Sequence, residues 1–238
     1  GGGKQYIEKG GVLLPTSGDE FDDFRDWERR FLFHKAHCLR HEPIAFVAQT
    51  HVFWGMKSVG LQQGPHSNVQ YVAGAGIYLQ HTWKKTVPAI FDDRAEGDTA
   101  YVWTSVYSPK NQIAGALVEL QNYSRSEQDK APETGQWDRR GSKIWWNGKL
   151  LEPPTWVHPG QVINNETDMG NENFTGRPAM KIFLHKGWNQ VLMMLPNKKA
   201  EGIRLNKWMF TFVITDVQGK NALTGIHYDP HRPVTFHR

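Results

Sequence analysis

From residue 43 onward, short runs of β-branched and aromatic residues alternate with glycine, proline and polar turns. Closely spaced runs of this kind are typical of antiparallel strands rather than of strands separated by helices. The pattern predicts strands at 46–54, 76–83, 99–107, 116–122, 142–146, 181–184, 190–195, 207–214 and 234–236. We therefore expect an all-β fold, an antiparallel jelly-roll β-sandwich.

The segment from Asp19 to about Leu39 follows a different pattern, in which apolar side chains recur at spacings of three and four. That spacing places them on one face of an amphipathic helix. The face consists of Phe24, Trp27, Phe31, His34 and Cys38. Ser17 and Glu20 fit a capping box at its start, and Pro43 prevents its continuation. We predict one N-terminal amphipathic helix and a boundary at about residue 42.

Two turns are readable within the predicted sandwich. Asn147-Gly148 lies between two strand-like runs, and both residues accept the positive φ that a tight hairpin requires. Gly187 is expected to provide a second turn, at 185–189, where Asn189 bonds backbone groups nearby.

One strand face is also readable. The segment 191–195 is almost continuously apolar, and the segment 207–213 is predicted to lie beside it in the same sheet. Alternation along the second segment places Trp208, Phe210 and Phe212 on one face. We expect these three rings to pack in the core.

Composition and charge narrow the possible functions. The 238 residues include 28 basic and 24 acidic side chains, a formal net charge of +4, without a basic block. Isolated basic pairs are typical of a solvated surface, so nucleic acid is not expected as the main partner. Cys38 is the single cysteine, which excludes an intrachain disulfide and a zinc site built on thiolates. No run reaches the roughly 18 apolar residues of a membrane span.

The chain contains ten tryptophans, and an exposed indole offers a flat apolar surface on which the C–H face of a sugar ring can stack. Alternation along 142–146 places Trp146 in the core and Trp145 nearer to solvent. Trp137 and Trp156 lie in loops rich in glycine and proline, where burial is less assured. We assign carbohydrate binding to Trp145, Trp137, Trp156 and Asn147, although indoles clamp loops to cores more often than they bind ligands.

The polar segment 164–173 is a candidate calcium site, because calcium takes roughly six to eight oxygen ligands from carboxylates, amides and carbonyls. The candidate ligands are Glu166, Asp168, Asn171 and Glu172. The spacing departs from the EF-hand pattern. A solvated or sugar-bonding loop is therefore the default interpretation, and no cofactor is expected.

No catalytic motif stands out in the sequence. Acid–base chemistry needs paired carboxylates, or a histidine held beside a nucleophile. Asp22-Asp23, Asp92-Asp93 and the pair Glu127 and Asp129 are interpreted as surface charge. We predict no catalytic residue, and His227 or Glu166 would serve only if the chain were an enzyme alone.

Several segments, distributed over most of the chain, have distinctive sequences. They are DEFDDFRDWERRFLFHK (19–35), Glu42-Pro43, QTHVFW (49–54), NYSRSE (122–127), GQWD (135–138), IWWN (144–147) and PPTW (153–156). Together they resemble the C-terminal region of family-20 glycoside hydrolases, the β-N-acetylhexosaminidases, of Bacteroides-type bacteria.

The resemblance implies that residues 1–42 are a remnant of a catalytic barrel, its last loop and helix. Residues 43–238 would then be the appended sandwich, galactose-binding-domain-like in fold. The start at Gly1, without methionine or signal peptide, agrees with a chain cut from a longer parent. The adjacent Asp-Glu catalytic pair of the family matches no position here. The resemblance further implies a periplasmic or cell-surface location, a glycan containing N-acetylhexosamine as ligand, and the parent's catalytic barrel as partner.

Three functions stay open on the sequence. The first is a non-catalytic accessory domain that binds glycan or supports the barrel of a hexosaminidase in carbohydrate breakdown. The second is a structural docking domain with no ligand. The third is a stand-alone jelly-roll glycosidase or lyase. Exposed indoles at Trp145, Trp137 or Trp156 would favour binding, whereas a dry apolar face would favour docking.

Overall fold

The computed structural model describes residues 6–9, 12–15, 52–60, 69–74, 76–81, 90–91, 97–120, 130–161, 179–198 and 207–232. At 6–9, 12–15, 81 and 207 it describes the backbone alone. The helix predicted from Asp19 to about Leu39 and the strand predicted at 234–236 lie outside the described residues. The proposed division at residue 42 stays a prediction.

The secondary structure of the described residues is made of strands joined by turns and irregular segments. The strands are β1 (Tyr6–Lys9), β2 (Val12–Pro15), β3 (Phe53–Val59), β4 (Gln70–Ala73), β5 (Gly76–His81), β6 (Thr99–Ser108), β7 (Gln112–Glu119), β8 (Lys143–Trp146), β9 (Lys149–Leu150), β10 (Met180–Leu184), β11 (Gly187–Pro196), β12 (Lys207–Thr215) and β13 (His227–Asp229). All described pairs are antiparallel. The all-β prediction is confirmed.

Two sheets form the sandwich, and β1 with β2 forms a separate hairpin. The seven-stranded sheet has the order β4-β3-β6-β11-β8-β9, with β13 also paired to β6. The four-stranded sheet has the order β10-β7-β12-β5. The main strands β3, β5, β6, β7, β10, β11, β12 and β13 alternate between the sheets, except that β7 and β10 share one. Such alternation is the connectivity of a jelly roll, as predicted.

Aromatic rings from both sheets fill the space between them. Trp54 meets Phe210 and Phe212 edge-on, with ring centroids 5.2 and 5.8 Å away. Trp146, which like Trp54 belongs to the seven-stranded sheet, stacks on Phe212 with ring centroids 6.2 Å apart. Trp208 is also fully buried, so the predicted core face of β12 is confirmed. Burying a large apolar side chain contributes about 1.5–3 kcal/mol, and these rings therefore carry much of the fold's stability.

The buried indoles keep their polar N–H groups satisfied. Trp54 Nε1 donates to the carbonyl of Gly74 at 2.8 Å, and Trp146 Nε1 donates to that of Phe183 at 2.9 Å. Trp208 Nε1 donates to the carbonyl of Leu195 at 3.2 Å. Burial of an indole costs little when its donor finds a partner, so these positions suit tryptophan.

Both predicted turns are present. Asn147 and Gly148 have φ values of 48° and 77° and join β8 to β9 as a tight hairpin. Gly187 has φ of 96°. The amide of Asn189 accepts from the backbone N–H of His185 and donates to its carbonyl, both at 2.9 Å. The turn at 185–189 is therefore held by the asparagine, as the sequence indicated.

The predicted pairing of 207–213 with 191–195 is wrong. β11 pairs with β6 and β8, whereas β12 pairs with β5 and β7 in the opposite sheet. The chain crosses the sandwich between the two strands, and they meet only across the core. Continuous apolar sequence records burial, and it does not distinguish a neighbour within a sheet from one in the facing sheet.

Candidate functional site

The outer face of the seven-stranded sheet, which points away from the core, carries a row of residues that crosses six strands. Each of these residues lies directly opposite the next. In order from β4 to β9, they are Tyr71, Gly55, Trp103, Leu192, Trp145 and Leu150. We call these residues the outer row. Adjacent positions on the strands, such as Trp54, Val102 and Trp146, belong to the core, and strand alternation therefore turns the row outward.

Trp103 lies flat at the centre of the outer row because the neighbouring strand offers a glycine. A Cβ atom at residue 55 would lie 2.7 Å from Cε2 and Nε1 of the indole and 2.9 Å from Cζ2. These similar distances place the ring face-on over Gly55. The indole Nε1 donates to the carbonyl of Pro230 at 3.1 Å, which fixes the ring in its plane. The residue is half-buried, so the sheet and one hydrogen bond hold an indole that solvent still reaches.

The end of β13 and the turn after it border the outer row on one side. Pro230 receives the hydrogen bond from Trp103, and the ring of His231 lies 4.1 Å from that of Tyr71 at an angle of 30°. Farther along, Arg232 places its guanidinium carbon 4.2 Å from the ring centroid of Trp188. The backbone N–H of His231 donates to the Asp229 carboxylate at 2.9 Å and stabilises this turn.

A second set of residues borders the outer row on the other side. These residues lie two positions from members of the outer row on the same strands, and each pairs with the next. They are Lys57, Tyr101, Met194 and Lys143. Both lysines and Tyr101 are exposed. An aromatic floor thus has ammonium and phenol groups beside it, which can donate hydrogen bonds to hydroxyl or amide oxygens of a ligand.

Trp145 has the orientation that alternation predicts. Ile144 and Trp146 are buried in the core, whereas Trp145 is half-buried on the outer face between Leu192 and Leu150. The predicted split between a core indole and a solvent-facing one is confirmed. Sugar binding by Trp145 stays a prediction.

Trp137 and Trp156 are not exposed platforms. Each is only 6% exposed. Trp137 Nε1 donates to the carbonyl of Leu151 at 3.3 Å, and Trp156 Nε1 donates to that of Gln136 at 2.7 Å. Trp137 ties its irregular segment to the core, and Trp156 joins two irregular segments, so the nearby glycine and proline residues did not signal exposure. The expectation that either indole contributes an exposed surface is corrected.

The side chain of Asn147 is exposed but bound to the protein itself. Its Nδ2 donates to Oδ1 of Asn189 at 2.9 Å, and its Oδ1 accepts from the backbone N–H of Gln190 at 2.8 Å. The amide therefore fastens the β8–β9 hairpin to β11. A carbohydrate-binding role for Asn147 stays a prediction, since these contacts show a structural one.

The calcium candidates Glu166, Asp168, Asn171 and Glu172 lie outside the described residues, as does Glu166 in its alternative role as a catalytic group. Among the residues that the structure describes, no group of three or more His, Cys, Asp or Glu could hold a metal ion. His227 lies on the outer face, opposite Tyr107, with ring centroids 6.2 Å apart. Within those same ranges, no helix is long and apolar enough to span a membrane.

Several residues of this face escaped the sequence analysis. The alternation of Tyr101, Trp103 and Tyr107 in the strand 99–108 was a usable signal, because period-two aromatics share one face. Tyr71 and Gly55 carried no such signal. Their place in the outer row depends on register with β6, which one sequence does not reveal.

Comparisons with known proteins identify no family. No family model matches the sequence, and no curated protein matches it significantly. One solved structure, a native family 35 carbohydrate binding module from Clostridium thermocellum, is 10% identical with a TM-score of 0.26, covering 68% of this chain and 92% of the module. A second family 35 module from that organism is 13% identical with a TM-score of 0.25, covering 49% and 78%. Neither likeness, at these TM-scores, supports a conclusion about the ligand.

Proposed function

We propose that this chain is a non-catalytic, glycan-binding accessory domain, and that the outer row is its binding surface. The observation that carries the proposal is Trp103, an indole laid flat over Gly55 and held by the carbonyl of Pro230. A core indole is enclosed by its neighbours, whereas this one rests on Gly55 and stays half-buried. Preorganised aromatic surface of this kind binds at a low entropic cost.

The chemistry of the face suits a pyranose. The C–H groups of a sugar ring form an apolar patch, which stacks on an indole or phenol ring, while its hydroxyl groups point sideways. Tyr71, Trp103 and Trp145 provide rings, and Lys57 and Lys143 lie beside the outer row as hydrogen-bond donors. Exposed aromatic surface with polar residues at its edge is typical of binding sites.

The finer assignments rest on the sequence resemblance alone. They are a β-N-acetylhexosaminidase as parent, its catalytic barrel as partner, an N-acetylhexosamine-containing glycan as ligand, and a periplasmic or cell-surface location. A barrel neighbour would keep the domain close to the substrate that the barrel cleaves. Domain and barrel would then act on the same glycan.

Binding is tested by affinity electrophoresis through gels that contain soluble polysaccharides, followed by isothermal titration with the retarding ones. Trp103→Ala should weaken binding about tenfold, because truncating a central aromatic anchor costs more than about 1 kcal/mol. Phe183→Ala is the matched control, since Phe183 is an exposed aromatic residue of the four-stranded sheet. If Trp103→Ala, Phe183→Ala and the unaltered chain all bind equally well, the binding site lies elsewhere.

Structural docking without a ligand is the second candidate, and one observation favours it. Ile113 and Phe183 lie directly opposite each other on β7 and β10, and both are exposed. Exposed apolar pairs are common where a second domain packs. If this pair docks a barrel, Ile113→Ser should lower the melting temperature of the full parent protein more than that of the isolated chain.

A further inference from the structure

Aromatic residues recur along the outer row. Its first, third and fifth members are Tyr71, Trp103 and Trp145, and non-aromatic residues separate them. Neighbouring strands lie about 4.8 Å apart, so the backbone positions of these residues are about 10 Å apart, and the indole of Trp103 extends from β6 over Gly55 of β3. The row therefore offers three stacking surfaces distributed across the sheet.

An extended glycan chain has a matching geometry. One pyranose unit of a β-1,4-linked chain spans roughly the distance between two strands. Such a chain is extended and nearly straight, as is the row of register pairs. A chain laid across the strands would meet all three aromatic rings, and it would pass over Leu192 between Trp103 and Trp145.

Among the residues that the structure describes, the outer row is open at both of its ends. It begins in the edge strand β4 with Tyr71, which is 52% exposed, and finishes in the edge strand β9 with Leu150, which is 56% exposed. Two borders run along the row. Residues 229–232 form one border, and the set of paired residues that begins with Lys57 and ends with Lys143 forms the other. A track that is bordered along its sides and open at its ends suits the interior of a long chain more than a terminal sugar.

We propose that the outer row binds the interior of an extended β-1,4-linked polysaccharide, with sugars stacked on Tyr71, Trp103 and Trp145. This inference rests on the proposed glycan-binding function and specifies its ligand class. From Tyr71 to Trp145 the track spans four strand intervals, about 19 Å, which corresponds to five sugars. Recognition then depends on chain length and linkage, whereas the chemical state of the chain ends has no influence.

Isothermal titration of the 238-residue chain with oligosaccharides of one to six units tests the inference. The probes are β-1,4-linked series of N-acetylglucosamine, glucose, mannose and xylose, with α-1,4-linked glucose as the curved control. For the preferred β-linked series, affinity should rise with length and level off near five units. Reducing the terminal sugar of the hexamer to its alditol should leave its affinity within about twofold.

Variants locate the effect along the track. Tyr71→Ala and Trp145→Ala should each weaken hexamer binding about tenfold, and Trp145→Ala should change trimer binding little, because a trimer can bind over Tyr71 and Trp103. Phe183→Ala is the matched control: it removes an exposed aromatic ring from the four-stranded sheet, away from the outer row, and it should bind like the unaltered chain. Melting curves establish that each variant is folded.

Two results separate the inference from the proposed function. If a mono- or disaccharide binds as tightly as the hexamer, or the α-linked hexamer binds as well as the β-linked ones, the track is wrong and glycan binding stands. Hexamer affinities of Tyr71→Ala and Trp145→Ala that equal the affinity of the unaltered chain would have the same meaning. If no oligosaccharide or polysaccharide binds, both proposals are wrong.

Discussion

The two faces of the seven-stranded sheet are both rich in aromatic residues, yet they serve different purposes. On the inner face, Trp54 and Trp146 are enclosed by Phe210 and Phe212 of the facing sheet. On the outer face, Trp103 rests on a glycine and stays half-exposed. The inner rings interlock with a second layer, whereas the outer ring is positioned by its own sheet.

The difference lies in what supports each ring. An inner indole loses its contacts if the opposite sheet changes, because that sheet supplies most of them. An outer indole needs only a flat seat and one acceptor, here Gly55 and the carbonyl of Pro230. Rings held by the core contribute to stability, and rings held on the surface are available to a ligand. The following variants test this distinction.

The largest effect on stability is expected from Trp54→Ala. The side chain is fully buried and contacts two rings, so its removal leaves a large cavity and should cost about 3–5 kcal/mol of the free energy of unfolding. Trp103→Ala should cost only about 1 kcal/mol, mainly through the lost hydrogen bond and partial burial. Urea denaturation of both variants provides the comparison. A loss for Trp103→Ala as large as that for Trp54→Ala would show that the outer ring is a core element.

A smaller effect is expected from Gly55→Ala, which adds a single methyl group beneath the outer ring. That carbon would lie 2.7 Å from the indole, so the ring must lift or tilt away from its seat. We expect a stability loss of about 1 kcal/mol, as for other overpacked contacts, and a severalfold weaker affinity for the best polysaccharide. Tryptophan fluorescence and titration measure the two consequences.

The double variant Gly55→Ala with Trp103→Ala is the control for that interpretation. If Gly55 acts only by seating the indole, the double variant should bind no worse than Trp103→Ala alone. Additive losses would instead give Gly55 a separate contact with the ligand.

The local sequence pattern was sufficient to predict the strands and turns, but it did not predict how they are arranged. Alternation identified β6, β8 and β12 and separated Trp145 from Trp146, because the two faces of one strand follow from its sequence. The hairpin at Asn147-Gly148 was equally readable, since positive φ restricts the residues that fit. Neither signal required knowledge of distant segments.

The site itself depends on contacts between distant residues. The outer row joins β4 to β9 through register, and its central ring depends on a glycine 48 positions earlier (103 − 55) and on a carbonyl at residue 230. Trp137 and Trp156 were misjudged for the same reason, because the carbonyls that bind their indole N–H groups lie 14 and 20 residues away. The composition of a loop reveals neither the register of distant strands nor the distant carbonyls that its indoles bind.

The smallest effect is expected from Tyr228→Phe, in a strand that contributes to both faces. His227 points outward beside Tyr107, whereas the phenol of Tyr228 turns inward and accepts a hydrogen bond from the backbone N–H of Ile214 at 3.2 Å. At neutral pH the loss of this bond should cost about 0.5 kcal/mol of the free energy of unfolding. Glycan binding should be unchanged, because the outer row keeps its contacts.

The pH dependence makes this test specific to the inner face. Burial raises the pKa of the Tyr228 phenol well above its ordinary range, and the hydrogen bond from Ile214 only partly opposes that shift. Above about pH 10 the unfolded chain releases the phenol proton while the folded chain retains it, so stability falls as the pH rises. Urea denaturation between pH 8 and 11 should therefore show a shallower fall for Tyr228→Phe than for the unaltered chain. Parallel curves would mean that the phenol titrates freely and that β13 does not enclose it.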